Sequence, residues 1–179
     1  MKKLIPFLLL VSSSLFSQGN DNLCDYISNQ LKEKPLECID KSKLKTTEEI
    51  YQFFKWSAFK QDYLIRVEKK GNIKNLVVKK INKSSYNQNT GEYIPSRFEI
   101  LKKRKITNVE FDKFMTLLEK HNFWQKDNYH VESICTDGGG ILVFALKKDH
   151  FLTISNGNCS PSNEYLYYIY QQISDIFKL

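Results

Sequence analysis

Two periods of apolar residues alternate along this chain. Tyr63, Ile65 and Val67 interleave with Leu64, Arg66 and Glu68, which is the two-residue period of a strand. Gly71-Asn72 then supplies a turn into a second extended stretch, residues 73 to 81, and a third covers residues 97 to 106. Thr107-Asn108-Val109-Glu110 is a capping box, and Phe111, Phe114 or Met115, and Leu118 follow at helical spacing. The continuous apolar run from Ile141 to Leu146 predicts a central strand, and Lys148-Asp149 turns the chain back into residues 151 to 155. Ser160-Pro161 opens a last helix with Leu166, Ile169, Tyr170, Ile173 and Phe177 as its buried stripe. The aromatic segment Ile50 to Trp56 fits either a short helix behind Thr46, Thr47 and Glu49 or a strand, because its period does not decide.

The order β-β-β-α-β-β-α predicts an α+β domain. Its expected form is an antiparallel sheet of about five strands with two helices on one face. Residues 46–179 form this domain. Residues 20–45 are polar, short of core-forming side chains and interrupted by Lys34-Pro35, so they predict an N-terminal extension.

Residues 1–19 read differently. Lys2 and Lys3 precede the apolar run Leu4 to Val11, and small residues follow as far as Ser17 and Gly19. That is the pattern of a secretory signal peptide, cleaved after Ser17 or Gly19. The run is too short to span a membrane, which needs about 20 apolar residues. The expected location is therefore periplasmic or secreted.

Export changes how the cysteines are read. Cys24, Cys38, Cys135 and Cys159 all lie beyond the signal, and four thiols allow three pairings. The expected bridges are Cys24–Cys38, which staples the extension, and Cys135–Cys159, which flanks the residue 141–155 hairpin, because each closes a local loop. A four-thiolate zinc site would want a C-x-x-C pair, and the chain has none. Neither a metal nor a cofactor is expected.

Among 179 residues, 27 Lys+Arg against 20 Asp+Glu give +7, and loss of Lys2 and Lys3 with the signal leaves +5. The excess is concentrated. Arg66, Lys69, Lys70, Lys74, Lys79, Lys80 and Lys83 face a single acid, Glu68, and Lys102-Lys103-Arg104-Lys105 follow on a neighbouring strand. If these strands pair, Lys79, Lys80, Lys102, Lys103 and Arg104 converge as a patch that steers an acidic partner. Such lysines also serve a plain role as a solvated face that discourages edge-to-edge association. Export disfavours nucleic acid as the partner; an acidic protein or an anionic envelope polymer fits better.

The polar loop Lys83 to Pro95 carries Tyr86 and Tyr93 among Ser, Asn and Gln, which is a binding-loop composition. The triglycine Gly138-Gly139-Gly140 leads into a strand, not a helix, and lacks a phosphate-loop ending; a bulge or flexible lead-in is expected there. The three histidines, His121, His130 and His150, show no metal-ligand spacing, and no G-x-S-x-G elbow is present.

Several of these pieces together form a resemblance. Residues 49–59, Arg66-Val67, Gly91-Glu92-Tyr93-Ile94-Pro95, Asn122-Phe123-Trp124 and Asp137-Gly138-Gly139 occur in the order found in a set of small exported bacterial proteins. The chain resembles that set over about residues 48 to 178. Members commonly place Trp after the Asp-Gly step, where this chain has Gly140-Ile141-Leu142-Val143. The resemblance implies the domain limits and carries no activity or site.

The sequence thus predicts an exported binding domain of the inhibitor or immunity type. Two competing readings are a small envelope-polymer hydrolase using His130 or His150 with Asp137, and a structural envelope component.

Overall fold

The computed structural model of the chain describes residues 36, 39, 44–57, 61–82, 85–94, 97–126, 130–131, 138–157 and 163–179. The chain divides into a unit of residues 1–40 and a unit of residues 41–179. In the first unit, Ile39 N donates to Leu36 O at 3.2 Å. The four cysteines, the signal segment and the Ser160-Pro161 cap lie outside the described residues.

The second unit is α+β. Its strands are β1 (Glu48–Ser57), β2 (Asp62–Lys70), β3 (Ile73–Asn82), β4 (Ser85–Asn87), β5 (Glu92–Ile94) and β6 (Arg97–Lys105). Helix α1 (Asn108–Lys120) follows, then β7 (His130–Val131), β8 (Gly139–Lys147), β9 (His150–Gly157) and helix α2 (Asn163–Phe177). Six strands make an antiparallel sheet in the order β6-β3-β2-β1-β8-β9, and the two-residue β7 joins β9 in parallel at the far edge. The sixth antiparallel strand is the aromatic segment whose period left helix and strand open. It pairs on both sides, Phe53 with Ile65 of β2 and with Val143 of β8. A central strand is buried on both faces, so Ile50, Tyr51, Gln52 and Phe53 are all buried and the alternation that marks a half-exposed strand is lost.

Both helices pack on one face. Tyr51, Phe53, Ile65, Val67, Leu76 and Val143 from the sheet share a single core with Phe111, Phe114 and Leu118 of α1 and Leu166, Ile169, Ile173 and Phe177 of α2. Aromatic rings join the layers: Tyr51 meets Phe114 edge-on at 5.1 Å, and Phe114 lies 5.8 Å from Phe177. The opposite face is mixed. Ile50, Leu64 and Leu146 are buried there beside Gln52, Arg66 and Lys79. Arg66 Nε donates to Glu68 Oε1 at 2.9 Å, and Lys79 Nζ stands 5.1 Å from the centre of the Phe98 ring.

Two glycines carry specific backbone duties. Gly71 opens the β2–β3 turn at φ +59°, a conformation costly for residues with a Cβ. Gly139 is a full ladder member opposite Ser57, and a Cβ there would stand 2.6 Å from the Trp56 carbonyl oxygen. The triglycine is therefore no bulge or loose lead-in at its described end. It lets β8 begin against the β1 backbone.

Candidate binding surface

Strand β6 holds four consecutive basic residues at the sheet edge, and the pleat sorts them. Lys102 pairs with Val78 and Arg104 with Leu76, so both project to the helix side. Lys102 Nζ donates to the carbonyls of Phe177 (3.2 Å) and Lys178 (2.7 Å) at the end of α2. Arg104 forks onto Glu110, with Nη2 to Oε1 at 2.7 Å and Nη1 to Oε2 at 3.1 Å, and Nη2 also reaches Phe177 O at 3.4 Å. These cations satisfy the orphan carbonyls of α2 where its dipole is negative.

Glu110 is held from a second side. It closes the capping box of α1, accepting from Thr107 N at 2.8 Å while its own N–H donates to Thr107 Oγ1 at 3.1 Å. The Arg104 guanidinium, then the Thr107 amide, hold the Glu110 carboxyl at about 2, well below the usual carboxylate range.

Lys103 and Lys105 project to the other side of β6 and are exposed. The five cations expected to converge therefore do not share one surface. Lys79 is buried at 5% exposure on the face opposite α1 and α2, Lys80 is half-buried on their side opposite Tyr63, Lys102 and Arg104 clasp helix ends, and Lys103 is exposed. The pleat alone produces this sorting, and a bulge lies just before the basic run. Val78 pairs with Lys102 but Lys79 pairs with Ile100, so Leu101 is an extra residue that resets the alternation along β6. No spacing in the sequence announces it. Arg97 and Lys105 join Lys103 as the exposed cations of this edge, Arg97 opposite Asn82 and Lys105 opposite Asn75 at the two ends of β6.

Between β3 and β6 in the chain, β4 and β5 form a two-stranded sheet of their own, so the polar loop expected there has strand structure at its core. Tyr86 stands directly opposite Tyr93, and both rings are 64% exposed. Opposed residues of a ladder share a face, so the two phenols are presented together. The tip is fastened by Asn87, whose Oδ1 accepts from the amides of Asn89 (3.0 Å) and Thr90 (3.3 Å), while Gly91 N donates to Asn87 O at 2.8 Å. Gly91 takes φ +69°.

The histidines occupy other places. His121 caps α1 and packs between Tyr165 and Tyr168, and Tyr165 Oη donates to its carbonyl at 3.1 Å. His150 meets Trp124 edge-on at 5.1 Å. The His130 side chain and Asp137 lie outside the described residues. Among the described residues no cluster of His, Cys, Asp and Glu could hold a metal ion, and no helix is long and apolar enough to cross a membrane.

No protein-family model matches the chain, and no curated protein matches it by sequence.

Proposed function

We propose that the protein is an exported binding domain that engages an acidic partner, in the manner of an inhibitor or immunity protein that occludes its target. The observation that carries this reading is the paired Tyr86 and Tyr93, two exposed side chains on a fastened hairpin, in a domain whose edge strand β6 also exposes Arg97, Lys103 and Lys105. Tyrosine supplies a large amphipathic contact at low entropic cost, and rim cations raise the rate of encounter with an acidic surface. The leader-like first nineteen residues support an envelope or extracellular partner. Lys79, Lys102 and Arg104, which the sequence also offers, are engaged within the fold and contribute to this surface only through its stability.

The test is affinity capture from envelope and secreted fractions on the immobilised protein, beside a Tyr86→Ser/Tyr93→Ser double variant of unchanged melting temperature. The expected result is an acidic species retained by the parent, eluted by raised salt, and lost from the variant. Equal retention by both proteins would overturn the assignment.

A further inference from the structure

A cavity of about 300 Å³ lies between the helix side of the sheet and the C-terminal half of α2. Its polar lining is Lys55 of β1, Tyr63 of β2, and Tyr170, Gln171 and Ser174 of α2, with Val78, Leu101 and the C-terminal Leu179 as its other members. No acidic side chain lines it. The volume reaches the lower end of the range of small-molecule sites, and an apolar wall with a few convergent polar groups is their usual chemistry.

Lys55 is the unusual member. A half-buried lysine on the core side of a sheet ordinarily has a carboxylate partner. Lys69, on the same side of the sheet, follows that rule by pairing with Glu49 at 2.9 Å. Among the described residues no carboxylate pairs with Lys55. Its ammonium sits instead against two tyrosine rings, 5.2 Å from the centre of Tyr170 and 5.7 Å from that of Tyr167. Those ring faces attract the cation through their π-electrons without taking up its three N–H donors, which stay available to a ligand. Burial, and then the charge that Tyr63 would carry, raise the Tyr170 phenol well above its ordinary value. It therefore remains a protonated donor throughout the physiological range. Lys55, the phenols, Gln171 and Ser174 all offer N–H or O–H groups, and no Asp or Glu side chain lies in the lining to answer them.

We propose that this cavity is a binding site for a small monocarboxylic acid with an apolar body, its carboxylate on Lys55 and its body against Val78 and Leu101. The site is separate from the tyrosine hairpin and does not depend on the binding reading above. A neutral ligand would leave Lys55 without an anion, and a dianion would place a second charge against the apolar wall.

The experiment titrates 3-phenylpropionate and its neutral isostere 3-phenylpropionamide into the purified protein, followed by amide chemical shifts in NMR. The acid is expected to saturate, to move the amides of Lys55, Tyr63 and Tyr170, and to bind at least tenfold more tightly than the amide. Lys55→Met, which keeps the length of the stem, should weaken the acid at least tenfold and leave the amide unchanged. Equal affinity of acid and amide, shifts confined to another part of the protein, or no saturation by either probe would each overturn the proposal. The comparison of the two probes on the parent protein decides the matter even where the variant fails to fold.

Discussion

The two sides of strand β6 carry the same chemistry and serve different ends. On the helix side, Lys102 and Arg104 are folded into the molecule, each bound to carbonyls at the end of α2, and Arg104 also to the carboxylate that starts α1. On the other side, Lys103 and Lys105 are exposed. One strand thus ties the start of the first helix and the end of the last to the sheet edge while presenting positive charge outward. A run of cations in a sequence is not a patch when the run is a strand, because the pleat divides it between two environments.

The largest effect should come from cutting the inner side. Arg104→Ala strands Glu110 without its guanidinium and removes a donor from Phe177 O; for a half-exposed charged pair this is expected to cost about 1–2 kcal/mol. Urea unfolding would measure it, and a cost below that of Lys103→Ala would contradict the division of β6. Lys102→Met should cost about 0.3–1 kcal/mol, the usual worth of a cation at a helix end, again read from the unfolding midpoint.

Acid should sharpen the same contrast. The Glu110 carboxyl is held near 2 in the folded protein against 4.5 ordinarily, so its stabilising contribution is fully present above about pH 5 and is lost as pH falls towards 2. The melting-temperature gap between the parent and Glu110→Gln should therefore narrow across that window. A gap that is constant from pH 6 to pH 2 would show that Arg104 does not hold the carboxylate.

The smallest effect on stability is expected outside. Lys103→Glu with Lys105→Glu should change unfolding free energy by less than about 0.5 kcal/mol, while slowing association with an acidic partner in low salt, as measured by stopped-flow or surface binding. A large loss of stability would mean that these side chains are part of the fold after all.

Elements with local signals were readable. The capping box at Thr107 forms as its spacing predicts, Gly71 turns the β2–β3 hairpin, and Leu166, Ile169, Ile173 and Phe177 are buried along one stripe of α2. Each depends on residues within one or two turns of one another. The aromatic segment of β1 was not decided, because a strand paired on both sides and buried on both faces loses the alternation that would reveal it. The Tyr86–Tyr93 pairing was invisible for another reason: composition marked both tyrosines as contact residues, but only the register of β4 on β5 sets them side by side.

By itself the sequence determined the periods, caps and turns, and through them an α+β order with two helices on one side of an antiparallel sheet. It did so because those signals act over a few bonds. The tertiary structure decided which cations are spent on helix ends and which remain outside, since the pairing of β6 on β3 and the packing of both helices on one face put Lys102 and Arg104 against those ends. It also decided that Lys55 of the first strand would meet Tyr167 and Tyr170 of the last helix beside a cavity lined by no Asp or Glu side chain. More than a hundred residues of chain separate those groups, and only the packing of α2 on the sheet brings them together.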